Sequence, residues 1–205
     1  MPGTTCTNAA TYLDNMHALL ERVQASQIDA FTDLLFDAWR HDRRVFVFGN
    51  GGSALTASHY VMDLVKTCAV PSQKRLQCFC LADNGGLLTA LANDVSYDEV
   101  FVYPLATYAQ AGDLAVAISC SGNSPNILKA CEWARAKGLT VVCLSGFFGG
   151  EMASHADLHI NIPHDNYGII EDLHLSIGHI VTQALQVRVQ AEINAETTAT
   201  RELPV

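Results

Sequence analysis

Residues 45–66, VFVFGNGGSALTASHYVMDLVK, constrain the folds open to this chain more than any other stretch. Val45 to Phe48 are β-branched or aromatic with no polar residue between them, which suits a strand buried on both faces. Asn50-Gly51-Gly52-Ser53 then turns the chain. Two glycines there permit positive φ and let the backbone come close to a ligand. Ser53 suits the N-cap of a helix starting near Ala54. The unpaired N–H groups and the dipole at such a helix start form a ready anion site. Farther along, His59 and Asp63 are four residues apart and share one helix face. One segment therefore offers a strand, a phosphate cradle and two groups able to ligate a metal or move a proton.

The rest of the chain alternates in the same way. Strands are predicted at 76–81, 114–119, 140–144 and 158–162. Helices are predicted at 85–92, 97–109, 125–137 and 169–191, with Pro125 at a tolerated N-terminal position. The polar tail from Ala195 reads as frayed. Two amphipathic helices come first. One spans 5–24, with Ala9, Leu13, Met16, Leu19, Leu20 and Val23 on one stripe. The other spans 26–41, with Ser26 as cap and Ile28, Phe31, Leu34, Leu35 and Trp39 on its apolar face. Strand–helix alternation means a parallel sheet with helices on both faces, and ligands at the carboxyl ends of the strands. Residues 1–205 read as one domain: a helical pair at 5–42, an α/β core at 43–193 and a tail at 194–205. Two helices are more than one sheet face needs, so the first is expected to pack partly against another subunit.

Charge and cysteine usage narrow the function classes. A formal net charge of −9 argues against nucleic acid or an anionic membrane as a general partner. No apolar run approaches the ~18 residues of a membrane helix, and the N-terminus has no signal-peptide pattern. The seven cysteines, which include Cys78, Cys80, Cys120, Cys131 and Cys143, form no C-x-x-C pair. They read as reduced thiols of a cytoplasmic protein.

A second turn, Ser119-Cys120-Ser121-Gly122-Asn123-Ser124, repeats the logic of the first. It offers hydroxyls, a glycine and a helix start after a buried strand, which suits a phosphate held by neutral donors. Neither turn is a P-loop or a G-x-G-x-x-G fingerprint. On the last helix, Glu171 and His179 are eight residues apart, about 80° around the axis. With His59 and Asp63 they make two imidazoles and two carboxylates from two helices, a donor set for zinc or another divalent ion. His174 reads as a hydrogen-bonded core residue and Lys66 as a solvated lysine. Asn93-Asp94 reads as an Asx turn, or as a contact for sugar hydroxyls.

Taken together, GNGGS with a following His, AND with SYDEVF, SCSGNSPN, and EDLH with a following His resemble the SIS (sugar isomerase) domain family, within it the phosphoheptose isomerase group. The resemblance runs from Asn8 to about Gln190. It implies a flavodoxin-like three-layer α/β sandwich with a central parallel sheet, and a homotetramer with active sites between subunits. The implied reaction converts sedoheptulose 7-phosphate to D-glycero-D-manno-heptose 7-phosphate. Asn50, Gly51, Gly52, Ser53, Asn93, Asp94, Ser119, Cys120, Ser121, Ser124 and Glu171 match substrate contacts. His59, Asp63, Glu171 and His179 match zinc ligands, and Asp63 and His179 match the catalytic pair. The family usually has Glu at the position of Asp63, Gln at that of Glu171 and Thr at that of Cys120. Those departures leave a second implication: a sugar-phosphate-binding member without catalysis, regulatory or of the DiaA kind.

Overall fold

The computed structural model describes residue 6, residues 8–68 and residues 74–201. The expected helix positions 5 and 7, and the tail beyond 201, lie outside them. Helices α1 (Ala9–Leu20) and α2 (Ala25–Arg40) lead into β1 (Arg44–Gly49), α3 (Gly52–Thr67) and β2 (Gln77–Cys80). Then follow α4 (Gly85–Asp94), a 3₁₀ turn at Tyr97–Glu99, α5 (Val102–Tyr108), β3 (Leu114–Ser119) and α6 (Pro125–Ala136). β4 (Thr140–Gly146), a 3₁₀ turn at Glu151–His155, β5 (Leu158–Ile162) and α7 (Tyr167–Arg201) complete the order.

All five strands pair in parallel, in the order β2-β1-β3-β4-β5. Alternate residues of each central strand point to opposite faces, and both faces are covered. Val45, Val47, Val116 and Ile118 pack with residues of α2, α3 and α7 such as Leu35, Tyr60 and Leu173. Phe46, Phe48, Ala115 and Ala117 pack on the other side with Leu105 of α5 and with Ile127 and Cys131 of α6. This is the three-layer α/β sandwich. The chain leaves β1 towards β2 and returns on β1's other side as β3. The carboxyl ends of β1 and β3 therefore flank the point where strand order reverses, where open α/β sheets bind ligands.

Several boundaries differ from the sequence reading. The cap of α3 is Gly51, at φ 56° and ψ −123°, and Ser53 lies buried in the first turn. Likewise α2 starts one residue before Ser26, with Gln24 at the cap position and no side-chain bond. The expected helix 97–109 is broken at 100–101. Starting α5 at Val102 puts Pro104 in the first turn, where no N–H is needed, instead of in a helix interior. The tail expected to fray is helical through Arg201. Ile193 packs against the core, Arg40 pairs with Glu192 at 2.8 Å, and Thr197 and Thr198 hydroxyls donate to the carbonyls of Ile193 and Asn194. In α1 only Leu19 is buried, while Leu13 and Leu20 of the predicted stripe are 63% and 53% exposed.

Candidate active site

Two turns and one helix pair build the site. The first turn, at the end of β1, is set by steric constraint. A Cβ on Gly49 would lie 2.8 Å from the Ile118 carbonyl oxygen and from atoms of Ser53, so β1, β3 and α3 meet there without a side chain between them. A Cβ on Gly52 would lie 2.3 Å from Glu171 Oε1. The carboxylate of Glu171, from the start of α7, thus occupies the N-terminal end of α3, a favourable place for negative charge. Burial, with Asp172 beside it, raises the Glu171 carboxyl above its usual range. Ser53 is 4% exposed and Cys120 is 5% exposed, and burial pushes the Cys120 thiol up to about 11. Cys120 is therefore a neutral thiol near neutrality, not a nucleophile.

The second turn is held by its own polar groups and by the loop after β4. Gly122 N–H donates to Ser119 Oγ at 3.2 Å, and Asn123 N–H to Ser121 Oγ at 3.3 Å. Gly122 has φ +65°, and a Cβ there would lie 2.2 Å from the Gly149 carbonyl oxygen. Gly146 N–H donates to the Cys120 carbonyl at 2.8 Å, and Met152 N–H to the Gly122 carbonyl at 3.0 Å. Ser124 takes the cap position of α6, yet its hydroxyl makes no capping bond. This turn is pre-shaped, with a hydroxyl at a helix N-terminus that the helix itself does not use.

The charged part of the site lies on α3 and α7. Gly178 brings the two helices together: a Cβ there would lie 2.0 Å from Tyr60 Cε1. The Tyr60 hydroxyl, fully buried, donates to the His174 carbonyl. The neighbours of Tyr60 and Gly178 in sequence are His59 and His179, and these meet with Nε2 atoms 3.1 Å apart. Asp63 Oδ2 lies 3.3 Å from His59 Nε2 and 3.6 Å from His179 Nε2. The three side chains are partly exposed, at 38%, 18% and 46% for His59, Asp63 and His179. Among the described residues, these three form a group with ligand atoms all within 4.8 Å of one another. Glu171 does not join it. Tetrahedral zinc with bonds of about 2.0–2.1 Å separates its ligand atoms by about 3.3–3.4 Å. The observed edges bracket that value, so the donors fit a His₂–carboxylate set with a position left open, the pattern of catalytic zinc sites.

The other expected residues are placed as follows. Asn50 joins Asn126 in a reciprocal amide pair, 2.9 Å in each direction, and its Oδ1 also accepts from the Tyr97 hydroxyl at 3.0 Å. Asn93 and Asp94 close the last turn of α4, exposed, with Asn93 Nδ2 donating to Asp94 Oδ1 at 2.7 Å. His174, five residues before His179, is buried. Its Nε2–H donates to the Ser145 carbonyl at 3.0 Å, Nδ1 has no hydrogen-bond partner, and burial lowers its pKa to about 4. Tyr97, Asn126, Tyr60 and Gly178 were not singled out from the sequence. Tyr97 and Asn126 do lie inside the SYDEVF and SCSGNSPN motifs. A cavity of about 500 Å³ lined by residues including Arg44, Phe79, Asn84 and Tyr108 contains none of the site residues.

A doubly covered parallel sheet, with two glycine-serine turns at its carboxyl edge and a His–Asp–His cluster on α3 and α7, defines an α/β protein with a candidate ligand site. Residues 11–146 match the SIS domain, and the chain belongs to that family. It is 38% identical over 168 residues to a phosphoheptose isomerase of Mycobacterium bovis, covering 82% of this chain and 85% of that one. A phosphoheptose isomerase of Geobacter sp. (strain M21) is 36% identical over 159 residues, covering 78% and 82%. The structure of phosphoheptose isomerase GmhA from Neisseria gonorrhoeae superposes with a TM-score of 0.79 at 26% identity, covering 87% of this chain and 94% of that one.

Proposed function

We propose that this chain is an aldose–ketose isomerase that converts sedoheptulose 7-phosphate to D-glycero-D-manno-heptose 7-phosphate in the cytoplasm. The observation that carries this reading is the meeting of His59, Asp63 and His179 across α3 and α7, in a chain whose relatives bear that activity in their names. The phosphate sits on the second turn, at Ser119, Ser121 and Ser124, because the Glu171 carboxylate already fills the N-terminal end of α3. Gly51, Gly52 and Ser53 then shape the wall beside the sugar, and Cys120 and Ser53 support it from beneath. Asn50, Asn93, Asp94 and Glu171 contact sugar hydroxyls.

In the reaction, a base removes a proton from the carbon beside the carbonyl, and the enediolate takes a proton back at the neighbouring carbon. Asp63 directs Oδ2 at both imidazoles, which leaves Oδ1 as the base. His179 turns Nε2 to His59 and Asp63, and its other ring nitrogen, Nδ1, shuttles a proton between the two sugar oxygens. His59, Asp63 and His179 would hold a divalent ion, zinc in this reading. When bound, that ion supplies Lewis-acid polarisation of the carbonyl.

Exposed apolar residues flank the cluster: Leu55, Met62 and Val65 on α3, Ile180 and Val187 on α7. Together with Leu13 and Leu20 of α1 they fit burial by further copies of this chain in a homotetramer. Sedimentation as a monomer at micromolar concentration would count against that assembly. No nucleic-acid or membrane partner is proposed. No helix of the described residues is long and apolar enough to cross a membrane.

The direct test is incubation with sedoheptulose 7-phosphate, following the aldose product. Asp63 and Glu171 depart from the Glu and Gln that the family resemblance implies at those positions, which favours one second reading, a sugar-phosphate sensor. Binding without conversion would select that reading.

A further inference from the structure

Resting on the sugar-phosphate reading above, we infer that Tyr97 and Asn126 are positioning residues that act through Asn50, fixing its amide so that one N–H is kept for an oxygen of the bound sugar phosphate. The last torsion of an asparagine side chain is broad and roughly two-fold, so Asn50 alone has no fixed donor direction at the end of β1. Its neighbours supply that direction. Asn126, 1% exposed in the first turn of α6, donates Nδ2–H to Asn50 Oδ1 at 2.9 Å and accepts Asn50 Nδ2–H at 2.9 Å. Tyr97, from the 3₁₀ turn after α4, donates its hydroxyl to the same Oδ1 at 3.0 Å.

A side-chain amide has two carbonyl lone pairs and two N–H bonds. Asn126 and Tyr97 fill both lone pairs of Asn50, and Asn126 takes one N–H. One N–H remains. Asn50 therefore meets a ligand as a donor only, which suits a sugar hydroxyl, carbonyl or phosphate oxygen and disfavours a cation. The three groups come from the end of β1, from the 3₁₀ turn after α4 and from the start of α6. They join the turn at Asn50 to the SYDEVF segment and to the second glycine-serine turn.

The test is a double-mutant cycle read by calorimetric binding of sedoheptulose 7-phosphate, with kcat and KM measured in parallel. Tyr97→Phe removes one hydroxyl at a half-exposed position and is expected to weaken binding about 2–10-fold, with kcat changed less. Asn126→Ser is expected to weaken it by about 10-fold or more. In an Asn50→Ala background both effects should shrink to within about twofold, because their route to the ligand is gone. A merely structural role would lower the melting temperature without that loss of effect. If Asn126→Ser fails to fold, the Tyr97 arm decides. An equal Tyr97→Phe effect in both backgrounds, or no effect in either, overturns the inference. Binding by the wild type without conversion removes the isomerase reading yet leaves the cycle readable. No binding by the wild type overturns both.

Discussion

The two halves of the site solve opposite problems. At the ends of β1 and β3 stand backbone, neutral hydroxyls and amides, set by Gly49, Gly52 and Gly122, where a Cβ has no room, with the Glu171 carboxylate against Gly52. On α3 and α7 stand titratable side chains, partly exposed and close enough to share a cation or a proton. The first half has its shape before any ligand arrives, and in the proposed function it would hold an anion without a lysine or arginine. The second half takes its shape from one interhelical contact, Tyr60 on Gly178, and its chemistry from what binds between the imidazoles. Loss of a group in the first half should therefore weaken binding, and loss in the second should stop chemistry.

The largest break is expected from His179→Gln. Removing a positioned acid–base group costs about 10²–10⁴-fold in turnover. The melting temperature should barely move, because the side chain is half exposed. Steady-state assay and thermal melt check both parts, and near wild-type turnover would take His179 out of the mechanism.

A second prediction contrasts His179 with His174 on the same helix. His174 is buried with its pKa lowered to about 4 from 6.5. The folded state therefore holds it neutral while the unfolded state protonates it. Stability is then intact above pH 6.5 and falls as pH drops towards 4, by about 3 kcal/mol in total from this group. Denaturant titrations of wild type and His174→Gln across that window should show a shallower slope in the variant.

Gly178→Ala probes the contact that makes the cluster. A Cβ placed 2.0 Å from the Tyr60 ring must push the helices apart. The expected cost is about 1–3 kcal/mol in stability, with lower kcat from a displaced His179. The smallest effect is expected from Ser124→Ala. Its hydroxyl caps nothing, so the melting temperature should hold while KM for the sugar phosphate rises about 2–10-fold. A fall in kcat alone would contradict its place in the binding half.

The contrast also marks what could be read from residues alone. Strand identity was legible because Val45–Phe48 and Leu114–Ile118 are apolar on both faces, which a doubly covered sheet explains. Both glycine-serine turns were legible because they follow such strands. The cluster was legible as four candidate donors but not as three. Which carboxylate faces the imidazoles depends on where the start of α7 crosses α3, and that crossing leaves Glu171 against Gly52. Helix spacing says which residues share a face and nothing about which faces meet. Helix ends were also poorly legible. Ser53 looked like a cap but is buried against Cys120, and the polar tail of α7 stays helical through Ile193 packing and the Arg40–Glu192 pair. Asn126 passed unnoticed because an amide in a helix's first turn looks the same whether it points to solvent or to a partner in another turn.

The central claim, that the helix-pair cluster holds a divalent ion and the turns hold the sugar phosphate, meets its most direct test in one measurement. Turnover of sedoheptulose 7-phosphate should be followed before chelation, after it, and after zinc is restored, with metal content measured in each sample. The account predicts about one ion per chain. It also predicts loss of turnover with that ion, persistence of sugar-phosphate binding, and recovery on reloading. Unchanged turnover in protein shown to be metal-free would contradict it.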